Sequence, residues 1–260
     1  MRTYEQLVTE AESADVTGWG FGWLDGRATE ERPPWGYVRL LAERLPTAAS
    51  VLDLDTGGGE VLGEALGEAL AAAASLPQRL AATEGWAPNA DVARRALGRF
   101  GVEVLDAAPG EPLPVPDASV DLVTSRHPVR PDWDEVARVL VDGGTYLAQH
   151  VGPGSAFELV EAFLGPQPEA RRGRDPHTEA AAAEAAGLDV LDLRTARCRM
   201  EFHDVGAIVW TLRKCVWWVP DFSVQRYDGV LRGLDEQLRR GEPFVAHSSR
   251  TLFDARRRPR

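Results

Sequence analysis

The stretch Val51–Glu60, which reads V-L-D-L-D-T-G-G-G-E, decides the fold of this chain. Its first four residues have the apolar character of a buried strand, three glycines follow, and the Ala/Leu/Glu-rich run of residues 60–74 is typical of a helix. Glycine permits a sharp turn and a close approach of ligand to backbone because it carries no Cβ. A strand, a glycine turn and a helix in this order predict a nucleotide-like ligand at the carboxyl end of a parallel sheet.

An acidic residue further along the chain strengthens this prediction, since a glycine-rich turn alone is weak evidence. Glu84 ends the next apolar run, residues 80–84. A carboxylate at this distance from the glycine turn can accept hydrogen bonds from the two hydroxyls of a nucleoside ribose. The pair therefore indicates a bound nucleoside.

Strand-like and helix-like segments alternate through the rest of the chain, with short links between them. Such alternation predicts a parallel, doubly wound sheet with helices on both faces. The glycine pair Gly143–Gly144 is interpreted as the stop of a helix at 133–141. The predicted strands are 51–54, 78–84, 101–106, 120–125, 145–151, one or two strands in 188–202, and 248–255. The other predicted helices include 38–45, 87–100, 155–163, an alanine-rich helix ending at Gly187, 203–218 and 227–240.

The organisation is expected to be a single domain of 260 residues, because neither an internal repeat nor a low-complexity linker interrupts it. Within it we distinguish an N-terminal aromatic segment (1–46), a cofactor-binding core (47–200), a helical insertion (201–247), and a last strand with a basic tail (248–260).

Composition narrows the class of ligand. The formal net charge is −11 and the isoelectric point is about 5.0, which disfavours a broad phosphate-binding surface and hence a nucleic-acid partner. The basic residues 256–260 are too few to change this and are typical of a solvated tail.

Cysteine content and hydropathy favour a cytoplasmic protein. Cys198 and Cys215 are the two cysteines and lie outside any CxxC spacing, which disfavours a disulfide framework and a metal site. The N-terminal residues lack the charged-then-apolar pattern of a signal segment. The apolar run of residues 207–219 is interrupted by Arg213 and Lys214, so no membrane span is expected.

Several motifs together resemble those of class I S-adenosylmethionine-dependent methyltransferases. They are the D-x-D-x-G-x-G pattern of Asp53–Gly59, the acids Glu84 and Asp106 after successive strands, the block 113–123, and the segment 137–146. The resemblance covers roughly residues 36–200. It implies S-adenosylmethionine as cofactor and a Rossmann-like, mostly parallel seven-stranded sheet with a reversed last strand, which fits a final strand beyond the predicted helical insertion.

The resemblance also implies roles for individual residues. Asp53 and the backbone of Asp55, Gly57 and Gly59 would line the methionine part of the cofactor. Glu84 would hold the ribose hydroxyls. The residues implied to lie around the adenine are Trp86, Asp106 and Ala107, with Asp106 accepting a hydrogen bond from the adenine amino group. The residues implied to lie where the methyl group meets the substrate are Arg126 and His127.

This chain departs from the family pattern at Asp55, where the family usually has glycine. Aspartate tolerates unusual backbone angles better than most residues, so the turn can still form. Its carboxylate would repel the methionine carboxylate unless it faces the amino group, which would weaken cofactor binding.

Two histidines are candidate general bases, because an unperturbed imidazole titrates near pH ~6.5. His127 follows the fourth predicted strand and His150 ends the fifth, and the carboxyl ends of strands are where this kind of sheet binds ligands. For both, a purely structural hydrogen-bonded histidine is the alternative interpretation.

Two aromatic segments are candidates for the substrate pocket. The first lies among glycines and prolines in residues 18–37, where a packed loop is expected, and the second lies in the helical insertion. Ordinary packing is the alternative for both. The predicted substrate-binding residues are Trp19, Trp23, Trp35, Trp217 and Phe222.

The predicted function is methylation of a small aromatic or apolar molecule. Two alternatives stay open: an RNA base methyltransferase, and a non-catalytic protein that senses the cofactor or binds a partner. A homodimer is also left open.

Overall fold

The computed structural model describes residues 2–18, 20–108 and 110–259. Within these ranges the strands are β1 (Ala28–Glu30), β2 (Ser50–Leu54), β3 (Arg79–Glu84), β4 (Glu103–Asp106), β5 (Val120–Arg126), β6 (Leu140–Val151), β7 (Leu188–Phe202) and β8 (Phe244–Arg257). The α-helices are α1 (Tyr4–Ser13), α2 (Tyr37–Arg44), α3 (Glu60–Ala71), α4 (Ala87–Leu97), α5 (Trp133–Val139), α6 (Phe157–Leu164), α7 (Pro176–Ala185), α8 (Val205–Lys214) and α9 (Val224–Arg239).

The strands form one mixed sheet in the order β1-β7-β8-β6-β5-β2-β3-β4. The five strands β4, β3, β2, β5 and β6 are mutually parallel, whereas β8 is antiparallel to β6 and β1 is antiparallel to β7. The α/β class and the reversed last strand are therefore confirmed.

The predicted count of seven strands is wrong, because the sheet of the described residues has eight. The additional strand is β1, whose three residues pair with Met200–Phe202 at the end of β7. The sequence does not indicate this strand, because three residues in a segment rich in glycine, proline and aromatic side chains show no alternating pattern. The strand forms by pairing with the unpaired backbone groups at the edge of β7.

The chain divides into two compact units. The first, here called the sheet unit, comprises Pro33–Gly152, Arg174–Ala196 and Arg250–Arg260. The second, the helical unit, comprises Met1–Arg32, Pro153–Gly173 and Arg197–Ser249. Strands β7 and β8 begin in one unit and end in the other. The single-domain organisation stays a prediction.

The core of the sheet unit follows from the pattern of its sequence. Strand β2 is buried over its first four residues, and α3 buries Leu62, Ala65, Leu66 and Ala69, which repeat at intervals of three and four. These side chains pack with Leu97 of α4. The glycine turn between β2 and α3 is thereby fixed to a rigid core.

The helical unit is built around α8, which is buried at nine of its ten residues. Asp204 caps this helix by accepting a hydrogen bond from the Ala207 amide at 2.9 Å. The amphipathic helix α1 contributes Leu7 and Val8 to the same apolar cluster. The helical insertion predicted before the last strand is thus present as α8 and α9.

The interpretation of Gly143–Gly144 as a helix stop is wrong. Helix α5 ends at Val139, and both glycines lie inside β6, beside an irregularity in its pairing with β5. A Cβ on Gly144 would lie 2.9 Å from the carbonyl oxygen of Val141, so glycine is needed there for a close backbone approach.

Candidate functional site

The glycine turn lies at the carboxyl end of β2, in the sheet unit. Asp55, Gly57 and Gly59 all have positive φ angles, of 53°, 63° and 82°. Aspartate adopts this left-handed conformation more readily than most side chains, so the expectation that the turn tolerates Asp55 is consistent with the structure. At Gly59 a Cβ would lie 2.7 Å from the Cγ of Leu97, which explains why glycine precedes α3.

The carboxylate of Glu84 connects this turn to the end of β3. Its Oε2 accepts a hydrogen bond from the Gly57 amide at 2.8 Å, and its Oε1 accepts one from the Trp86 amide at 2.9 Å. The side chain is buried. Each carboxylate oxygen has a second lone pair, so Glu84 can still accept hydrogen bonds from a ligand while it shapes the turn.

The predicted adenine-side residues lie next to Glu84. Strands β3 and β4 pair Glu84 with Asp106, and the Ala107 amide donates to the Glu84 carbonyl oxygen at 3.3 Å. Asp106 is exposed and accepts a hydrogen bond from Arg94 of α4 at 2.7 Å. Trp86 is 54% exposed. These side chains lie near one another at the carboxyl ends of β3 and β4.

Asp53 is the buried acid of the site. Its Oδ1 accepts a hydrogen bond from Thr124 Oγ1 of β5 at 2.6 Å. Burial raises the pKa of this carboxyl from its ordinary 3.8 to about 6, an effect that the Thr124 hydrogen bond partly offsets. The pKa of Asp55 is raised as well, by desolvation and then by the charge of Glu84. Three carboxylates thus lie at the ends of β2 and β3, and a cationic group placed among them would relieve their repulsion.

Tyr37 is a residue of this region that sequence reasoning missed. Its hydroxyl proton is shared between the carbonyl oxygens of Ser125 (3.0 Å) and Leu147 (3.1 Å), and this contact connects α2 to β5 and β6. Burial and then the charge of Asp53 raise the pKa of Tyr37 well above its ordinary value. The aromatic pair Trp35 and Tyr37, which flanks Gly36 at the start of α2, was the available signal.

His127 directly follows β5 and takes part in a chain of side-chain hydrogen bonds. The indole Nε1 of Trp35 donates to Oε1 of Gln149 at 2.9 Å, and Nε2 of Gln149 lies 3.2 Å from Nε2 of His127. The His127 backbone has a φ of 62°, and its amide donates to the Gln149 carbonyl oxygen at 2.7 Å. Burial, followed by the charge of Arg250, lowers the pKa of His127 well below its ordinary value.

His150 lies inside the core of the sheet unit. It is 2% exposed and its ring contacts those of Trp133, Tyr146 and Phe253. Its Nδ1 lies 2.7 Å from a carboxylate oxygen of Glu179, and its Nε2 lies 2.9 Å from the Tyr146 hydroxyl. Both ring nitrogens are therefore held by protein groups, an arrangement typical of a structural histidine.

The predicted substrate-binding aromatics occupy different surroundings. Trp35 is buried in the sheet unit, whereas Trp23, Trp217 and Phe222 belong to the helical unit. Trp23 stacks on Trp210 with ring centroids 5.5 Å apart, and Phe222 stacks on Tyr227 at 5.9 Å. Trp217 is 57% exposed.

Trp19, the fifth predicted substrate-binding residue, lies outside the described residues. In the part of the chain that the structure covers, no helix is long and apolar enough to cross a membrane. The same residues hold no cluster of three histidine, cysteine or acidic side chains able to bind a metal ion.

Comparison with solved structures identifies the fold. A candidate methyltransferase of Bacillus halodurans superposes with a TM-score of 0.60 at 18% identity, covering 85% of this chain and 99% of that one. The YcgJ protein of Bacillus subtilis gives 0.61 at 17% identity, covering 86% and 99%. The [4+2]-cyclase SpnF gives 0.52 at 16% identity, covering 99% and 97%.

Sequence comparison adds no relative. No protein-family model matches the chain, and no curated protein matches it. At identities below 20% the superposed structures show the fold alone, and they include a cyclase as well as a methyltransferase. The chain has the fold of class I S-adenosylmethionine-dependent methyltransferases, and a fold by itself does not determine an activity.

Proposed function

We propose that this protein, with the class I methyltransferase fold, binds S-adenosylmethionine and transfers its methyl group to a small molecule. The observation that carries the proposal is the glycine turn closed by Glu84 at the carboxyl edge of β2 and β3. The three glycines allow a ligand to approach the backbone closely, and the carboxylates of Asp53, Asp55 and Glu84 lie at the carboxyl ends of these strands, which supports a nucleotide-like cofactor there.

The residues of the sheet unit fit the chemistry of this cofactor. A neighbouring cation would stabilise the ionised form of Asp53, whose pKa is raised by burial, and the methionine ammonium of the cofactor is such a cation. The backbone of Asp55, Gly57 and Gly59 would line the methionine part. Glu84 would accept hydrogen bonds from the ribose. The remaining proposed contacts are Trp86, Asp106 and Ala107 at the adenine and Arg126 near the methyl group.

When bound, the cofactor would supply an electrophilic methyl group on a sulfonium. The protein then has to hold the acceptor in line with this group and exclude water. His127 is retained as a candidate catalytic residue, because it adjoins the carboxyl edge of β5. His150 is retained as part of the buried core that supports this edge, since both of its ring nitrogens are bound.

The acceptor is proposed to be a small molecule. The net charge of −11 supports this over an RNA substrate. The aromatic side chains Trp23, Trp35, Trp217 and Phe222 are retained as candidate contacts for an aromatic or apolar acceptor, together with Trp19. Residence in the cytoplasm and a homodimer both stay predictions.

Calorimetric titration with S-adenosylmethionine and S-adenosylhomocysteine tests the proposal. We expect micromolar binding by the wild type, weakened at least tenfold (about 1.4 kcal/mol) by Glu84→Gln. The matched control is Glu103→Gln, which removes an exposed carboxylate at the start of β4. Thermal unfolding of each variant separates a lost contact from a lost fold.

Two outcomes would contradict the proposal. Equal affinities of the wild type and Glu84→Gln for the cofactor would contradict the proposed hydrogen bonds between Glu84 and the ribose. No binding by the wild type would overturn the enzyme function and favour the non-catalytic alternative. Asp55→Gly would then show whether the extra carboxylate in the turn is responsible, because it restores the residue usual in the family.

A further inference from the structure

The side chains of Trp35, Gln149 and His127 form a chain of hydrogen bonds with a fixed direction. An indole N–H can only donate, so the Gln149 atom 2.9 Å from Trp35 Nε1 must be the carbonyl oxygen. This assigns the amide orientation of Gln149 and leaves its NH₂ group 3.2 Å from His127. Because an NH₂ group only donates, Nε2 of His127 accepts that hydrogen bond.

The proton of the neutral His127 ring is therefore on Nδ1. An imidazole nitrogen that accepts a hydrogen bond carries no proton, and the neutral ring has one proton for two nitrogens. The backbone strengthens the assignment, since the His127 amide donates to the Gln149 carbonyl oxygen at 2.7 Å and holds the two residues together. All three residues are in the sheet unit.

Burial and nearby side chains together lower the pKa of His127 and so keep its ring neutral. After burial, the largest contributions come from Arg250 of β8 and Arg126 of β5, followed by His150 of β6 and Arg174 before α7. Strand pairing places Arg126 beside Gln149, and Val151, two residues after Gln149, pairs with Arg250. The charges of these arginines therefore oppose protonation of the His127 ring, although the chain as a whole is acidic.

With Nε2 bound to Gln149, the neutral His127 ring offers its Nδ1–H as a hydrogen-bond donor. A base at this position would need a free lone pair, but Nε2 is already occupied by Gln149. A proton taken from an acceptor would also convert the ring to a cation next to other cations. Both arguments exclude His127 as the general base in its present environment.

We propose that Trp35 and Gln149 are positioning residues that hold His127 as the Nδ1–H tautomer, and that His127 donates a hydrogen bond to an anionic methyl acceptor. The acceptor class is a small molecule whose nucleophile is an oxyanion at neutral pH. The oxyanion would attack the methyl group with its own lone pair and the sulfur would keep the electrons of the broken bond, so no proton passes to the protein. The role in methyl transfer rests on the proposed function.

The tautomer can be measured without cofactor or substrate. Histidine labelled with ¹³C and ¹⁵N gives ring correlations that distinguish a protonated from an unprotonated nitrogen, and His127→Asn identifies the His127 signals. We expect Nδ1 protonated and Nε2 unprotonated in the wild type between pH 6 and 8. The opposite tautomer, or an imidazolium at pH 7, would overturn the proposal.

Two variants test the positioning role. Gln149→Glu replaces the donor with a carboxylate that only accepts, so the His127 proton must move to Nε2 or the ring must become cationic with a raised pKa. Trp35→Phe keeps Gln149 but frees its amide to rotate, and a mixture of tautomers is expected. Gln78→Glu, an exposed residue of the same unit, adds the same charge as a matched control. An unchanged His127 spectrum in both variants would refute the role.

The anion is tested by titrating wild-type protein with acetate or with inorganic phosphate and following the His127 Nδ1 resonance. A saturable shift that is at least threefold weaker in Arg126→Gln supports the oxyanion site, and no shift with either probe contradicts it. These measurements use no S-adenosylmethionine. A failure here is therefore distinguishable from a failure of cofactor binding.

Discussion

Asp53→Asn is expected to stabilise the protein at neutral pH while it impairs the proposed cofactor site. Asp53 is 6% exposed, and burial raises the pKa of its carboxyl from 3.8 to about 6. A rise of about two pH units corresponds to ~3 kcal/mol, at 1.36 kcal/mol for each unit. Asparagine keeps an oxygen that can accept the 2.6 Å hydrogen bond from Thr124 and avoids burying a charge.

The sign of the pH dependence follows from proton linkage. Because the folded state holds the Asp53 proton more tightly than the unfolded state, wild-type stability decreases as pH rises from about 4 to about 6. Above pH 6 the penalty is complete. We therefore expect Asp53→Asn to exceed the wild type by ~3 kcal/mol at pH 8 and to match it near pH 4.

Urea unfolding at pH 4, 6 and 8 measures this difference directly. Asp91→Asn, an exposed residue of α4, is the matched control and should change stability by no more than ~0.5 kcal/mol at any of these pH values. A difference between Asp53→Asn and wild type that does not change with pH would refute the reasoning. In the same variant we expect cofactor binding to weaken, since a buried carboxylate is removed from the site that would hold the ammonium.

Two further predictions concern the turn and His127. Gly59→Ala should destabilise the protein by ~2–4 kcal/mol, because φ is +82° and the new Cβ would lie 2.7 Å from Leu97. In the control Gly63→Ala, within α3, the new Cβ would lie 3.5 Å from the same side chain, and the protein should be stabilised by up to ~1 kcal/mol. Chemical unfolding measures both changes, and equal effects would contradict the steric argument. The pKa of His127 is lowered in the folded state, so as pH falls through ~6.5 the unfolded state binds a proton that the folded state does not. The wild type should therefore lose stability on acidification, with a slope of at most ~1.4 kcal/mol per pH unit. His127→Asn should abolish this loss. Parallel stability profiles of wild type and variant between pH 5 and 7 would count against the lowered pKa.

Much of the sheet unit could be predicted from the sequence because its signals are local. The apolar run of β2, the glycines and the helical spacing of α3 lie within about twenty residues, and each element shows its own periodicity. Glu84 was found for the same reason, since it ends the next strand. Element boundaries were less accurate, as the extension of β6 back to Leu140 shows, because sheet pairing rather than propensity decides where a strand begins.

The tertiary structure alone decided how the candidate site works. Trp35 and Gln149 are 114 residues apart, and no pattern in the sequence indicates that the indole of one orients the amide of the other and thereby the proton of His127. Residues from separate elements likewise bury Asp53 and so raise its pKa. They also supply the hydrogen-bond partners of both ring nitrogens of His150. The sequence determined which side chains lie at the carboxyl ends of the strands, because the positions of the strands along the chain and the residues of the turns are local features. Packing determined their protonation and hydrogen-bond direction, because desolvation and hydrogen bonding depend on neighbours that are distant in the chain.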